Sequence, residues 1–154
     1  MKLNDLFEKN HMDFKGIPRS YFLIGLLGAF ENRFQSAADK QMKEITWKQY
    51  FSIICISLCQ KAPTLQELSE IMGSSHQNVK QILLKLSERN FISFQKDPED
   101  KRKQRIYLTD TCMEFCKNNN DISGEIMNHM FEGISEEDLR ITIATISKLI
   151  EAVE

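Results

Sequence analysis

The stretch "TLQELSEIMGSSHQNVKQILLKL", from Thr64 to Leu86, decides the fold. Thr64 and Glu67 have the spacing of a capping box, so a helix begins there, and Gly73 ends it. Ser75 suits the N-cap of a second helix. The apolar residues of that second helix recur at helical spacing: Val79, Ile82, Leu83 and Leu86. Two short helices joined by a glycine turn predict a helix-turn-helix.

The beginning of the second helix carries hydrogen-bond donors and neutral amides but no carboxylate. Its N-cap and outward positions are Ser75, His76, Gln77, Asn78, Lys80, Gln81 and Lys85. In helix-turn-helix proteins the N-terminal residues of the second helix enter the major groove, where such side chains pair with base edges. A carboxylate would instead repel nearby phosphates. We therefore predict that these residues contact DNA; the alternative is the solvated face of an ordinary core helix.

After this helix the apolar period changes from helical to alternating. The segments "FISFQK" and "RIYLT" predict two strands, and "DPEDKRKQ" between them predicts a hairpin with a basic tip. The cations of that hairpin are Lys101, Arg102, Lys103 and Arg105. Such a loop can follow the DNA backbone and insert an arginine into a narrow minor groove. We predict that all four contact DNA; the alternative is a solvated run of charge.

Long helical segments flank this central region. One covers roughly residues 19–38, another begins at the capping box of Thr46 and Gln49, and two more cover about 109–131 and 135–153. The last has an apolar seam at intervals of four and three: Leu139, Ile143, Ile146, Ile150 and Val153. A seam of about two heptads requires a helical partner, within the chain or in a second copy. The predicted fold class is mainly α with a small β-hairpin wing (α+β).

The sequence "DKRKQRIYLT" resembles the D-x-R-x-x-x-(Ile/Val/Leu)-x-L-T signature of MarR-type winged helix-turn-helix regulators. The matching positions are Asp100, Arg102, Ile106, Leu108 and Thr109. The helix pair is similar to theirs too, although Ser74 replaces a usual apolar residue and Asn90 a usual glycine. The resemblance implies that Arg102 reaches the minor groove and that Asp100 stabilises the wing. It also implies one domain over 1–154, with dimerisation helices at 19–40 and 110–154 around a DNA-binding lobe at 46–109.

By this resemblance the protein is expected to be a homodimeric, sequence-specific DNA-binding regulator, a repressor rather than an activator. Its partner would be double-stranded DNA with a palindromic operator, whose half-sites lie about 10 bp apart. The resemblance further implies a small aromatic effector, for which Tyr21, Trp47 and Tyr50 could form a pocket. Aromatic residues at helical spacing are more often core, so we assign none of these three to a site.

Two other classes of function stay open. One is a winged-helix module that docks on another protein, which predicts exposed apolar surface around Leu84. The other is a redox or metal sensor built on the four cysteines, Cys55, Cys59, Cys112 and Cys116. Each cysteine pair has i, i+4 spacing, which can hold a soft metal or sense oxidants, but small core residues have the same spacing.

Charge and composition restrict the remaining classes. The net charge is −2, yet residues 74–105 carry eight cations against four anions, which concentrates basic charge in the predicted DNA-binding segment. The N-terminus "MKLNDLFEKNHMDFKG" lacks the apolar core of a signal peptide, and the longest apolar run, 21–30, is too short to span a bilayer. A cytoplasmic protein with reduced thiols is expected. The sequence contains no catalytic or phosphate-binding motif and no metal-ligand spacing among its histidines, so no enzyme, cofactor or metal is predicted.

Overall fold

The computed structural model describes residues 12–153; residues 1–11 and 154 of the predicted single domain lie outside the described residues. Within the described part, six helices and one hairpin follow one another. They are α1 Arg19–Gln41, α2 Trp47–Leu58, α3 Leu65–Ile71, α4 His76–Glu88, β1 Ile92–Lys96, β2 Gln104–Leu108, α5 Asp110–Phe131 and α6 Glu136–Glu151. The predicted fold class, mainly helical with a β-hairpin wing, is confirmed.

Local signals in the sequence set the helix starts. Thr46 and Gln49 form a complete capping box at α2, and Thr64 and Glu67 form another at α3. In each box the threonine oxygen accepts the N–H three residues on, and the longer side chain accepts the N–H of the threonine. These bonds satisfy N–H groups that a helix start would otherwise leave without partners.

The hydrophobic core lies between α2, α3, α4, the hairpin and the start of α5. Leu68 of α3, Val79 and Leu86 of α4, Ile106 of β2 and Cys112 of α5 are fully buried in it. Each large aliphatic side chain buried in this way stabilises the fold by about 1.5–3 kcal/mol. The core therefore fixes the helix-turn-helix and the hairpin to one another.

The terminal helices contribute little to that core. Ala38 is the one buried residue of α1, and α6 buries none. An aromatic contact joins α1 to the lobe, since the rings of Phe34 and Trp47 meet edge to face at 4.7 Å. Within residues 12–153 no helix has both the length and the apolar character needed to cross a membrane. Much of α1 and α6 thus projects from the packed lobe.

Candidate nucleic-acid interface

The turn between α3 and α4 sets the position of the polar helix start. Gly73 has φ +56°, a left-handed conformation that glycine adopts without steric cost. The N–H of Ser74 then donates to the carbonyl of Ser69 at 3.0 Å, which closes the end of α3. Ser75 begins α4 as predicted, because its hydroxyl oxygen accepts the N–H of Asn78 at 3.3 Å.

The two faces of α4 divide as the apolar spacing predicts. Val79, Leu83 and Leu86 are buried, and Ile82 is half-buried. Every residue of this helix that is predicted to contact DNA is exposed: His76, Gln77, Asn78, Lys80, Gln81 and Lys85. The first turn contains no acidic residue. The positive end of the helix dipole is therefore not neutralised by a carboxylate of that turn.

The wing is a two-stranded antiparallel hairpin in which Phe94 pairs with Ile106 and Lys96 with Gln104. Its tip, residues 97–103, exposes three of the four predicted cations: Lys101, Arg102 and Lys103. The side chain of Arg102 is 91% exposed. Its Nε and one terminal nitrogen donate to the two carboxylate oxygens of Asp100 at 3.1 and 3.3 Å.

Asp100, predicted to stabilise the wing, also accepts the backbone N–H of Arg102 at 3.1 Å, and its carbonyl accepts the N–H of Lys103 at 2.9 Å. These bonds shape the tip. The hydrogen bond from the Arg102 side chain is the largest of the effects that hold the pKa of Asp100 below its usual value. The carboxylate thus stays ionised and keeps Arg102 close to the tip.

The structure does not expose Arg105 for its predicted contact with DNA. Its side chain lies inside the lobe, and the residue is only 7% exposed. The guanidinium donates to a carboxylate oxygen of Asp97, to the carbonyl of Ala62 at 2.6 Å and to Glu67 at 3.2 Å. The four-cation cluster predicted from the sequence is therefore three exposed cations and one buried arginine. The cause is strand alternation, which turns Arg105 toward the segment before α3.

Asp97 is a structural residue of the wing that the sequence analysis missed. One of its carboxylate oxygens accepts the N–H of Glu99 at 2.7 Å and that of Asp100 at 3.1 Å. These backbone hydrogen bonds, followed by the bond from Arg105, lower the pKa of Asp97 to about 2. An aspartate followed by proline at a turn is a signal for such bonding, because its side chain can accept the N–H two residues on.

The wing tip and the start of α4 border the same cleft. This cleft has a volume of about 550 Å³, and His76, Arg102 and Lys103 line one part of it. The start of α3 supplies Glu67 and Glu70 to the same cleft, two carboxylates that no prediction placed there. The fold thus brings the predicted major-groove and minor-groove elements to adjacent positions.

The cysteines do not form an exposed thiol site. Cys55 and Cys112 are buried, Cys59 and Cys116 are half-buried, and all four are free thiols. Burial raises the pKa of Cys112 to about 12 and also raises the pKa of Cys55 and Cys116. Within residues 12–153, leaving aside the side chains of 120–123, 125 and 126, no cluster of three or more histidine, cysteine or acidic side chains is arranged to hold a metal ion.

The three aromatic residues considered for an effector pocket are not brought together. Trp47 and Tyr50 have ring centroids 6.2 Å apart in the aromatic contact between α1 and the lobe. Tyr21 instead lines an apolar groove of about 710 Å³ beside the first half of α1. That groove also contains Leu26 and Arg33. The structure therefore places Trp47 and Tyr50 in one aromatic region and Tyr21 in another.

This combination of a helix pair, a two-stranded wing and long terminal helices defines a winged helix-turn-helix protein. The model of the MarR family matches residues 45–103. This segment includes the helix pair and most of the wing, and the resemblance seen in the hairpin sequence is confirmed.

Solved structures have the same fold. A MarR/EmrR family regulator from Acinetobacter sp. ADP1 is 21% identical with a TM-score of 0.78, covering 89% of this chain and 98% of that one. A MarR protein from Peptoclostridium difficile is 19% identical with a TM-score of 0.77, covering 93% of both chains. MepR of S. aureus, in a complex with DNA, is 18% identical with a TM-score of 0.74, covering 84% of this chain and 94% of that one.

Proposed function

We propose that the protein is a homodimeric transcriptional regulator, a repressor, that binds a palindromic operator. The observation that carries this proposal is the shared position of two elements: the carboxylate-free start of α4 and the basic wing tip border one cleft. Gln77, Asn78 and Gln81 read base edges in the major groove, while Lys101, Arg102 and Lys103 bind phosphates and the minor groove. The similar fold of MepR, solved with DNA, supports this assignment.

The proposed dimer follows from the apolar surface of the terminal helices. Ile141, Ile143 and Ile150 of α6 are each more than half exposed, and no residue of that helix is buried. Aliphatic surface of this extent on one helix is costly to leave in water, so a second copy is the natural partner. Two winged lobes related by two-fold symmetry then meet two half-sites about one helical turn of DNA apart.

The first test is selection of bound sequences from random duplex DNA by the full chain. We expect enrichment of a two-fold symmetric consensus with half-sites centred roughly 10 bp apart. Failure to enrich any sequence, even at low salt, would mean that the protein does not bind DNA. It would favour the rival function, a protein-docking module, which gains some support from the 44% exposure of Leu84 on α4.

The second test concerns the dimer. Ile143→Lys places a charge on the exposed seam of α6, whereas Ala144→Lys places the same charge on the adjacent exposed residue, which faces away from that seam. We expect wild type and Ala144→Lys to sediment as dimers, and Ile143→Lys to sediment as a monomer with weaker operator binding. If Ile143→Lys remains dimeric with wild-type affinity, the α6 seam is not the dimer interface.

We further propose that a small aromatic effector weakens operator binding by changing the spacing of the two α4 helices. Trp47, the only tryptophan, lies in the aromatic contact between α1 and the lobe, so its fluorescence reports events there. Titration with benzoate as a probe should change Trp47 emission and release labelled operator over the same concentration range. If benzoate and larger aromatic acids change neither the Trp47 emission nor operator binding, the proposal of an aromatic effector is wrong.

A further inference from the structure

The buried Arg105 joins β2 to the segment around the start of α3 and to the other side of the wing. It donates to Ala62, 43 residues earlier and just before α3, to Glu67 within α3, and to Asp97 just after β1. Next to it, the N–H of Ile106 donates to the carbonyl of Pro63 at 2.9 Å. The base of the wing is therefore attached to the segment that leads into the helix-turn-helix.

From Arg105 a continuous set of hydrogen bonds runs to the wing tip. Asp97 accepts the guanidinium on one oxygen and the N–H groups of Glu99 and Asp100 on the other. Its own N–H donates to the carbonyl of Lys103 at 3.0 Å across the tip. Asp100 then holds the side chain of Arg102 in a two-pronged contact. Every link is within hydrogen-bonding distance, from α3 to the exposed arginine.

Stability alone does not account for a buried arginine at this position. Removing a guanidinium and a carboxylate from water costs about as much as their attraction returns, and an apolar side chain could fill the same volume. What an apolar residue cannot supply is direction, because the planar guanidinium has five donors in a fixed geometry. Here that geometry matches acceptors on three residues, Ala62, Glu67 and Asp97, and leaves few alternative arrangements of the wing.

We propose that Arg105 is a positioning residue for DNA binding. Acting through Asp97 and Asp100, it fixes the wing tip relative to α3 and α4, so that Arg102 is presented to the minor groove while α4 occupies the major groove. This inference rests on the proposed DNA-binding function. Arg105 itself does not touch DNA.

A double-mutant cycle tests the inference with Arg105→Met and Arg102→Ala in the full-length dimer. If Arg105 acts through Arg102, losing both costs little more than losing Arg102 alone. We expect Arg102→Ala to bind the operator roughly 25-fold more weakly and Arg105→Met at least about fivefold more weakly, and the double variant to match Arg102→Ala within about twofold. The inference is overturned if the two losses multiply, or if Arg105→Met binds as tightly as wild type.

Lys61→Met is the matched control, because it removes an exposed ion pair between Lys61 and Glu99 of the wing, 3.1 Å apart. This variant should leave operator affinity and the Arg102 effect unchanged. If Arg105→Met does not fold, Asp97→Asn replaces it in the cycle. The asparagine oxygen can still accept the N–H groups of Glu99 and Asp100, while the charge that faces Arg105 is removed. The same non-additivity with Arg102→Ala is expected.

A second readout needs no DNA. The Arg102 Nε–H group donates to Asp100, so its NMR signal should differ from that of a free arginine and show restricted motion. In Arg105→Met that signal should move to the free-arginine position, whereas in Lys61→Met it should not. An unchanged signal in Arg105→Met contradicts the positioning role. If wild type fails to bind DNA, the proposed function is wrong, yet this signal still decides whether Arg105 orders the wing.

Discussion

Arg102→Ala is the most direct test of the proposed contact between the wing and DNA. The side chain is 91% exposed at the tip. Its ion pair with Asp100 is accessible to solvent, so breaking that pair costs little free energy. Loss of such an arginine contact costs about 1 kcal/mol at the lower end of the usual range, or roughly fivefold in affinity. A symmetric dimer loses it at both half-sites, so we expect roughly 25-fold weaker operator binding.

The salt dependence of binding gives an independent magnitude. Each cation that neutralises a phosphate contributes about 0.9 to the slope of log affinity against log salt concentration. Removing one arginine from each protomer should therefore lower that slope by about 2. Fluorescence anisotropy of a labelled operator duplex, measured over roughly 50–300 mM KCl, gives both affinity and slope.

The control is Lys43→Ala, which removes an exposed cation between α1 and α2, outside α4 and the wing. Its affinity and slope should equal those of wild type. The reasoning is refuted if Arg102→Ala matches wild type at every salt concentration. A weaker affinity with an unchanged slope would also count against it, because the arginine would then not be neutralising phosphate.

Three further predictions concern the lobe itself. Because the pKa of Asp97 falls from 3.8 to about 2 on folding, its ionised carboxylate stabilises the fold fully above about pH 4. This stabilisation disappears between about pH 4 and pH 2, so the melting temperature should fall over that range, and Asp97→Asn should make the fall smaller. Burial raises the pKa of Cys112 to about 12, so a disulfide reagent at neutral pH should label this thiol only after denaturant unfolds the protein and exposes all four thiols. Rapid labelling of Cys112 in the native protein would instead support the redox-sensor alternative. Ser75→Ala removes the bond to the N–H of Asn78, so denaturant unfolding should show a loss of about 1 kcal/mol, whereas an unchanged midpoint would contradict the capping role.

Local signals made much of the fold predictable. Capping at Thr46, Thr64 and Ser75 depends on residues three positions apart, and the structure shows each of these caps. The inward face of α4 also followed from spacing, because Val79 and Leu86 fall on one side of a helix of 3.6 residues per turn. Such features depend on neighbours along the chain, so a single sequence contains the information.

The wing shows where that information ends. The sequence pattern grouped Arg105 with the exposed cations beside it. The contact with Ala62, 43 residues away, shows instead that the segment before α3 covers the side of β2 on which Arg105 lies. The cleft carboxylates Glu67 and Glu70 were missed for the same reason, since their proximity to the wing is a tertiary contact. The proposed dimer and the proposed effector site depend on groups outside one chain, which its sequence pattern can indicate but not locate.

Thr109 links the lobe proposed to contact DNA to the long helix that follows. Its hydroxyl donates to the carbonyl of Asn90 at 2.6 Å and accepts the N–H of Cys112 at 3.2 Å. This one side chain therefore connects the turn after α4 to the first turn of α5. The 22 residues of α5 extend roughly 33 Å from that pivot. A tilt of about 5° at the pivot would displace the far end of such a rod by about 3 Å. In the proposed dimer a displacement of a few ångströms at the far end of α5 would therefore tilt the winged lobe attached to its start. The two lobes would then lose the separation that matches one turn of DNA.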